Sequence, residues 1–140
     1  MKKGTWKLVD LYPGAHIRAK VGSFYHHGIY IGNDEVVQFG LPYEMYVNND
    51  DVKVLRSPLN EFCSSDSFIE VYVYSRKELK QKFNDQDIVK NALSHVGEGG
   101  YNILKNNCEH FANLCVFGIK KSEQIDDVYD NVNKLLNKEE

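Results

Sequence analysis

The chain has 140 residues, 42% hydrophobic and 12% aromatic, which suits one folded core and excludes a disordered composition. A formal net charge of −3 excludes the global basic field expected of a nucleic-acid binder. Three widely spaced cysteines (Cys63, Cys108, Cys115) argue against a disulfide framework and for a reducing compartment. The basic N-terminus has no apolar run behind it, and no stretch of about 18 apolar residues occurs. We therefore expect no signal peptide and no spanning helix, and a soluble, cytoplasmic protein.

In chain order, residues 5–9 alternate and suit a short edge strand. Tyr12-Pro13-Gly14 is turn chemistry, and residues 16–21 alternate until Gly22-Ser23. Residues 24–31 and 35–39 are β-branched and aromatic runs around Gly32-Asn33-Asp34, which predicts a hairpin. Residues 41–50 read as a loop, with a turn at 48–51. Val52, Val54 and Leu55 suggest a strand stopped by Ser57-Pro58, and residues 62–67 a loop. Residues 68–74 alternate, with Ile69, Val71 and Val73 on one face.

The remainder reads helical. Residues 76–83 form a short charged helix, and Asn84-Asp85 caps a second carrying Ile88, Val89, Ala92, Leu93 and Val96, ended by Gly97. A loop over 98–107 precedes a helix starting near Cys108 and closed by Gly118. Residues 122–138 place Ile125, Val128, Val132, Leu135 and Leu136 at helical spacing. Strands followed by helices define an α+β class, an antiparallel sheet with helices on one side. We expect residues 1–140 to be a single domain, with a core over about 5–121 and a C-terminal helix over about 122–138.

The stretch Asn106-Asn107-Cys108-Glu109-His110-Phe111 concentrates the chemistry. Asn106 and Asn107 suit a helix N-cap, and Glu109 suits the positive end of the dipole. A thiol at that position is expected to have a lowered pKa, which makes Cys108 the candidate nucleophile. A buried structural cysteine is the alternative. Cys115 falls on the apolar face and reads as core; Cys63 lies in a polar loop.

A nucleophilic thiol needs a base. His110 lies about 200° round the helix from Cys108, and His95 sits among polar residues. His26 and His27 share a strand and point to opposite faces. With a three-residue loop at Gly32-Asn33-Asp34, Ile31 faces Glu35 and Gly28 faces Gln38. His26, Gly28, Tyr30, Val36 and Gln38 then share a face, with Gln38 diagonal to His26. A two-residue loop would put Gln38 on the other face. The first register makes Cys108, His26 and Gln38 a nucleophile, base and orienter. Gly28 would leave room there for a helix end or a substrate. The alternatives are a hydrogen-bonded strand histidine and an ordinary strand glutamine. A zinc site from His26, His27, Cys108 and His110 lacks recognised ligand spacing.

The segments His26-His27-Gly28-Ile29-Tyr30-Ile31-Gly32 and Asn107-Cys108-Glu109-His110-Phe111, with Tyr12-Pro13-Gly14, Ser57-Pro58-Leu59 and Tyr101-Asn102-Ile103, resemble the lecithin:retinol acyltransferase-like family, which includes small phospholipase/acyltransferases. The resemblance covers about residues 12–118. It implies a circularly permuted papain-like core, Cys108 as acyl-accepting nucleophile and His26 as general base. Members commonly carry a histidine where this chain has Gln38, which can accept the imidazole N–H but carries no charge. Several relatives end in a hydrophobic anchor, whereas this sequence ends Leu135-Leu136-Asn137-Lys138-Glu139-Glu140.

The chemistry to expect is acyl transfer or hydrolysis through a thiol, with no cofactor and no metal. The oxyanion would be held by the Cys108 N–H and a group of Asn106 or Asn107. By resemblance the donor is a glycerophospholipid acyl chain, with transient membrane-surface contact and entry over Tyr30, Tyr43, Met45, Tyr46 or the 57–67 loop. A thiol peptidase or amidase, or a non-catalytic interaction domain, are the other readings.

Overall fold

The structure, a computed structural model, describes residues 3–46, 51–65 and 68–138. Among the described residues, six strands make one antiparallel sheet: β1 (Thr5–Lys7), β2 (His16–Val21), β3 (Phe24–Gly32), β4 (Glu35–Phe39), β5 (Val54–Pro58) and β6 (Glu70–Val73). Their spatial order is β1-β6-β2-β3-β4-β5, so β3 and β4 are interior and β1 is an edge. The helices α1 (Arg76–Gln81), α2 (Asp85–Ser94), α3 (Cys108–Phe117) and α4 (Glu123–Lys138) follow. The α+β order of elements is the one expected from the sequence. Short 3-10 turns occupy Pro42–Glu44 and Leu59–Glu61. The expected turn at 48–51 lies mostly outside the described residues.

Alternation assigns each sheet face its own core. Ile29, Val37, Phe39 and Val54 pack under Ile88 and Ala92 of α2 and Phe111, Ala112, Cys115 and Val116 of α3. The opposite face carries Ile17, Ala19, Tyr30, Val36 and Val71, covered by Leu59, Phe62 and Ile69. Helices α2 and α3 thus pack on one face, and Leu59, Phe62 and Ile69 on the other. The apolar stripe of α2 is narrower than its sequence suggests, because only Ile88 and Ala92 are buried while Leu93 and Val96 stay exposed.

The β3–β4 hairpin resolves the register question in an unforeseen way. Its turn is two residues, Asn33 and Asp34, both left-handed at φ 53° and 56°. Gly32, not Ile31, pairs with Glu35, and the register shifts between Tyr30 and Gly32, which leaves Ile31 as a bulge. The bulge restores the lost residue, so Gly28 pairs with Gln38 despite the shorter turn. Gln38 therefore stays on the His26 face.

Candidate active site

Asn107 fixes where α3 begins. Its Oδ1 accepts from the N–H groups of Glu109 and His110, both at 3.0 Å, satisfying two donors the helix leaves open. Its Nδ2 donates to the Ile103 carbonyl at 2.9 Å and to Ser122 Oγ at 3.3 Å. His110 Nδ1 accepts from the Asn107 N–H at 2.9 Å. The Asn107 amide is engaged at both ends, and Asn106 Nδ2 donates to the Gly100 carbonyl at 3.1 Å. Both Asn107 amide hydrogens are thus taken, whereas Asn106 commits one of its two.

Cys108, the first residue of α3, brings its sulfur to the edge of β3. The β3–β4 ladder ends at Gly28–Gln38. Beyond it, the His27 N–H donates to Cys108 Sγ at 3.5 Å, and the thiol points at the Tyr25 carbonyl at 3.9 Å. The sulfur thus lies level with His26, held by the backbone groups on either side of it. Burial pushes the thiol up to about 12, and the Glu109 carboxylate adds to this; the His27, Cys108 and Glu109 backbone N–H groups act against it. This corrects the expectation of a lowered thiol pKa. The helix terminus acts in the direction expected, but a 1% exposed site loses more in hydration than it gains.

His26 is fully buried, and its ring leaves β3 on the face away from the helices, tilted against Phe62 at 5.1 Å between centroids. Its Nε2 lies 2.8 Å from Gln38 Oε1. A carbonyl oxygen only accepts, so the proton sits on Nε2 and Nδ1 carries the lone pair. Nδ1 has no hydrogen-bond partner among the described residues. Burial pushes this imidazole down to about 4, with the Gln38 bond acting against that. Gln38, also fully buried, donates from Nε2 to Ser57 Oγ at 2.7 Å. Ser57, expected from the sequence to stop the strand, lies within β5 instead and meets Gln38 there. Its place depends on the β4–β5 register, where Val36 pairs with Ser57 and Gln38 with Leu55.

The other candidates divide. His27 faces the helices, with Nδ1 2.8 Å from His16 Nε2 and Nε2 4.0 Å from Glu109 Oε2. Glu109 also accepts from Ser122 Oγ at 2.8 Å, linking the starts of α3 and α4. Gly28 does not hold open a substrate path, because a Cβ there would meet Phe62 Cε1 at 2.9 Å. Tyr30 OH accepts from the Asp34 N–H at 3.1 Å, inside the hairpin. Tyr46 OH bonds the Val21 carbonyl and the Phe24 N–H, and Tyr101 OH donates to the Met45 carbonyl at 2.5 Å. Tyr43 is 75% exposed. A cavity of about 430 Å³ opens between Trp6, His16, Tyr72, Glu109 and Phe117, and neither Cys108 nor His26 borders it. No group of three or more His, Cys, Asp or Glu is placed to hold a metal among the described residues.

Fold and site together define an antiparallel α+β domain in which a helix-initiating cysteine meets a sheet edge beside a buried histidine–glutamine pair. Residues 10–121 match the family model for lecithin retinol acyltransferase, and the chain belongs to that family. It is 24% identical over 154 residues to lecithin retinol acyltransferase of Mus musculus, covering 96% of this chain and 67% of that protein. The Rattus norvegicus protein of that name is 22% identical over the same shares. The Bos taurus protein is 25% identical over 131 residues, covering 79% of this chain and 56% of its own length. No helix among the described residues is long and apolar enough to cross a membrane.

Proposed function

We propose that the protein is an acyltransferase that carries its acyl group as a thioester on Cys108, with a glycerophospholipid ester as donor. One observation carries the reading: Cys108 Sγ sits between the backbone groups flanking His26, whose Nε2 is occupied by Gln38 and whose Nδ1 lone pair has no partner among the described residues. The family membership, and relatives named for an acyltransferase, support the reaction class. The core would then be a permuted relative of papain-like enzymes.

The resting pair is neutral thiol and neutral imidazole. Substrate entry turns the thiol from the Tyr25 carbonyl toward His26 Nδ1, which takes the proton as sulfur attacks the ester carbonyl. The resulting oxyanion is met by the Cys108 N–H, which opens the first turn of α3. Collapse breaks the C–O bond, and the proton on Nδ1 passes to the leaving alkoxide. An acceptor hydroxyl or amine, or water, then gives its proton to Nδ1 and attacks the thioester; the C–S bond breaks and Nδ1 returns the proton to the leaving Cys108 sulfur. Gln38 holds the ring and its tautomer throughout, without adding charge.

The test offers phospholipid vesicles and short peptides to wild type and to Cys108→Ala, with mass spectrometry as readout. One acyl chain on Cys108, released by hydroxylamine and accumulating when the acceptor is withheld, supports the reading. His26→Ala should slow its formation by about 10²–10⁴-fold. Adducts from peptides alone would make the protein a peptidase or amidase, and no adduct from either would leave an interaction domain.

A further inference from the structure

We propose that residues 41–46 form a lid over Cys108, latched by the Tyr46 hydroxyl, and that its opening admits the acyl donor. The inference rests on Cys108 being the nucleophile of the proposed acyl chemistry. Cys108 is 1% exposed and His26 0%. An ester carried on a glycerophospholipid therefore reaches the sulfur only after a covering segment moves.

The path of the chain brings residues 41–46 over the sulfur. β4 stops pairing with β3 at Gly28–Gln38, and the chain turns away at Gly40, φ 79°. It returns to β3 at Tyr46, whose hydroxyl accepts from the Phe24 N–H at 3.2 Å and donates to the Val21 carbonyl. Between those two points β3 lacks a β4 partner, and the Cys108 sulfur lies there, at the His27 N–H and the Tyr25 carbonyl. Met45 is buried in the same apolar cluster as Cys108 and Tyr101. Burial raises the Tyr101 hydroxyl, and charge on Cys108 or Tyr46 would raise it further, so these three side chains lie together.

The segment is lightly tied to the rest of the domain. Its backbone hydrogen bonds close within it, from the Glu44 N–H to the Leu41 carbonyl at 2.8 Å and from the Met45 N–H to the Pro42 carbonyl at 3.3 Å. The Glu44 carboxylate also accepts from the Leu41 N–H at 2.8 Å, so the segment moves as a unit. Two tyrosine hydroxyls hold that unit in place: Tyr46 at the β2–β3 turn, and Tyr101 through the Met45 carbonyl at 2.5 Å. Gly40, already left-handed and without a Cβ, supplies the pivot. Opening here breaks the bonds of two hydroxyls and withdraws Met45, whereas exposing the sulfur by moving α3 would break up the helix core.

The test reads iodoacetamide alkylation of Cys108 and Cys115 at fixed pH across low urea concentrations, by peptide mass spectrometry. Cys115 is 0% exposed in the helix core and reacts through global unfolding, so its rate climbs with urea. Cys108, reached through the lid, should react faster than Cys115 and respond weakly to urea. Tyr46→Phe keeps the ring and removes the latch, and should speed Cys108 about five- to thirtyfold. Tyr30→Phe removes a hydroxyl bond at the far end of β3, outside the lid; it should speed Cys115 and leave Cys108 at the wild-type rate. Tyr101→Phe, which releases the Met45 carbonyl, repeats the test if Tyr46→Phe does not fold. A Cys108 rate that follows Cys115 through urea and both variants, or that ignores the loss of the latch in folded protein, would overturn the lid. Acyl adducts on Cys108 alongside that result would leave the acyltransferase reading intact. A wild type that is never acylated, but whose Cys108 responds to the latch, would keep the lid and sink that reading instead.

Discussion

Alkylation of Cys108 should report the protonation state of the resting site. With the thiol held at about 12, the thiolate fraction at pH 8 is about 10⁻⁴. An ordinary thiol near 8.5 is about one quarter ionised there, roughly 10³-fold more. Iodoacetamide reacts with thiolate, so the rate should climb about tenfold per pH unit from about pH 7 to about pH 11, without a plateau. Peptide mass spectrometry separates Cys108 from Cys63 and Cys115, and the urea-unfolded chain supplies the reference. Restricted access scales the folded rate at every pH and leaves the slope unchanged. A plateau below about pH 8 would mean a preformed thiolate–imidazolium pair, and the neutral resting pair would be refuted. The sign follows from burial, which penalises whichever form is charged and so separates the two pKa values.

Three further outcomes can be checked on the folded protein. Burial holds His16 at about 3 and His26 at about 4, and lowers His27 as well, so below about 6.5 the unfolded chain binds protons the fold refuses. Stability present above that pH should fall by about 1.2 kcal/mol each for His16 and His26 between pH 7 and 5.5, or about 2–3 kcal/mol in urea titrations, with His27 adding in the same direction; a loss under about 1 kcal/mol would show that they charge freely. Asn107→Ala removes four hydrogen bonds at the start of α3 and should cost about 2–3 kcal/mol, above the usual cap value. A cost below about 0.5 kcal/mol would show the cap to be dispensable. Gly28→Ala drives a methyl to 2.9 Å from Phe62 and 3.0 Å from Val36, and should cost about 1–3 kcal/mol, partly recovered by Phe62→Leu. If thermal denaturation shows no shift, the face is looser than described.

Much of the architecture was legible in local pattern. Residues 16–21 alternate in sequence and span β2, and Asn84, Asn107 and Gly118 bracket helices as capping chemistry requires. The hairpin was legible in outcome but not in detail. Asn33 and Asp34 form a two-residue turn, yet the bulge at Ile31 yields the register expected of a three-residue loop. A bulge depends on how the strands twist against their neighbours, which alternation does not encode. Gly28 misled for a related reason, since the space beside it is filled by Phe62 from a distant segment.

By itself the sequence determined which groups could do chemistry: a thiol at a helix start, a strand imidazole, and an amide twelve positions on. These follow from period and capping, which act over a few residues. Only the tertiary structure decided their state. Burial of Cys108 reversed the sign of its pKa shift, and the β4–β5 register brought Ser57 to Gln38. Desolvation and cross-strand pairing depend on segments far apart in the chain, and so become defined only once the core has closed.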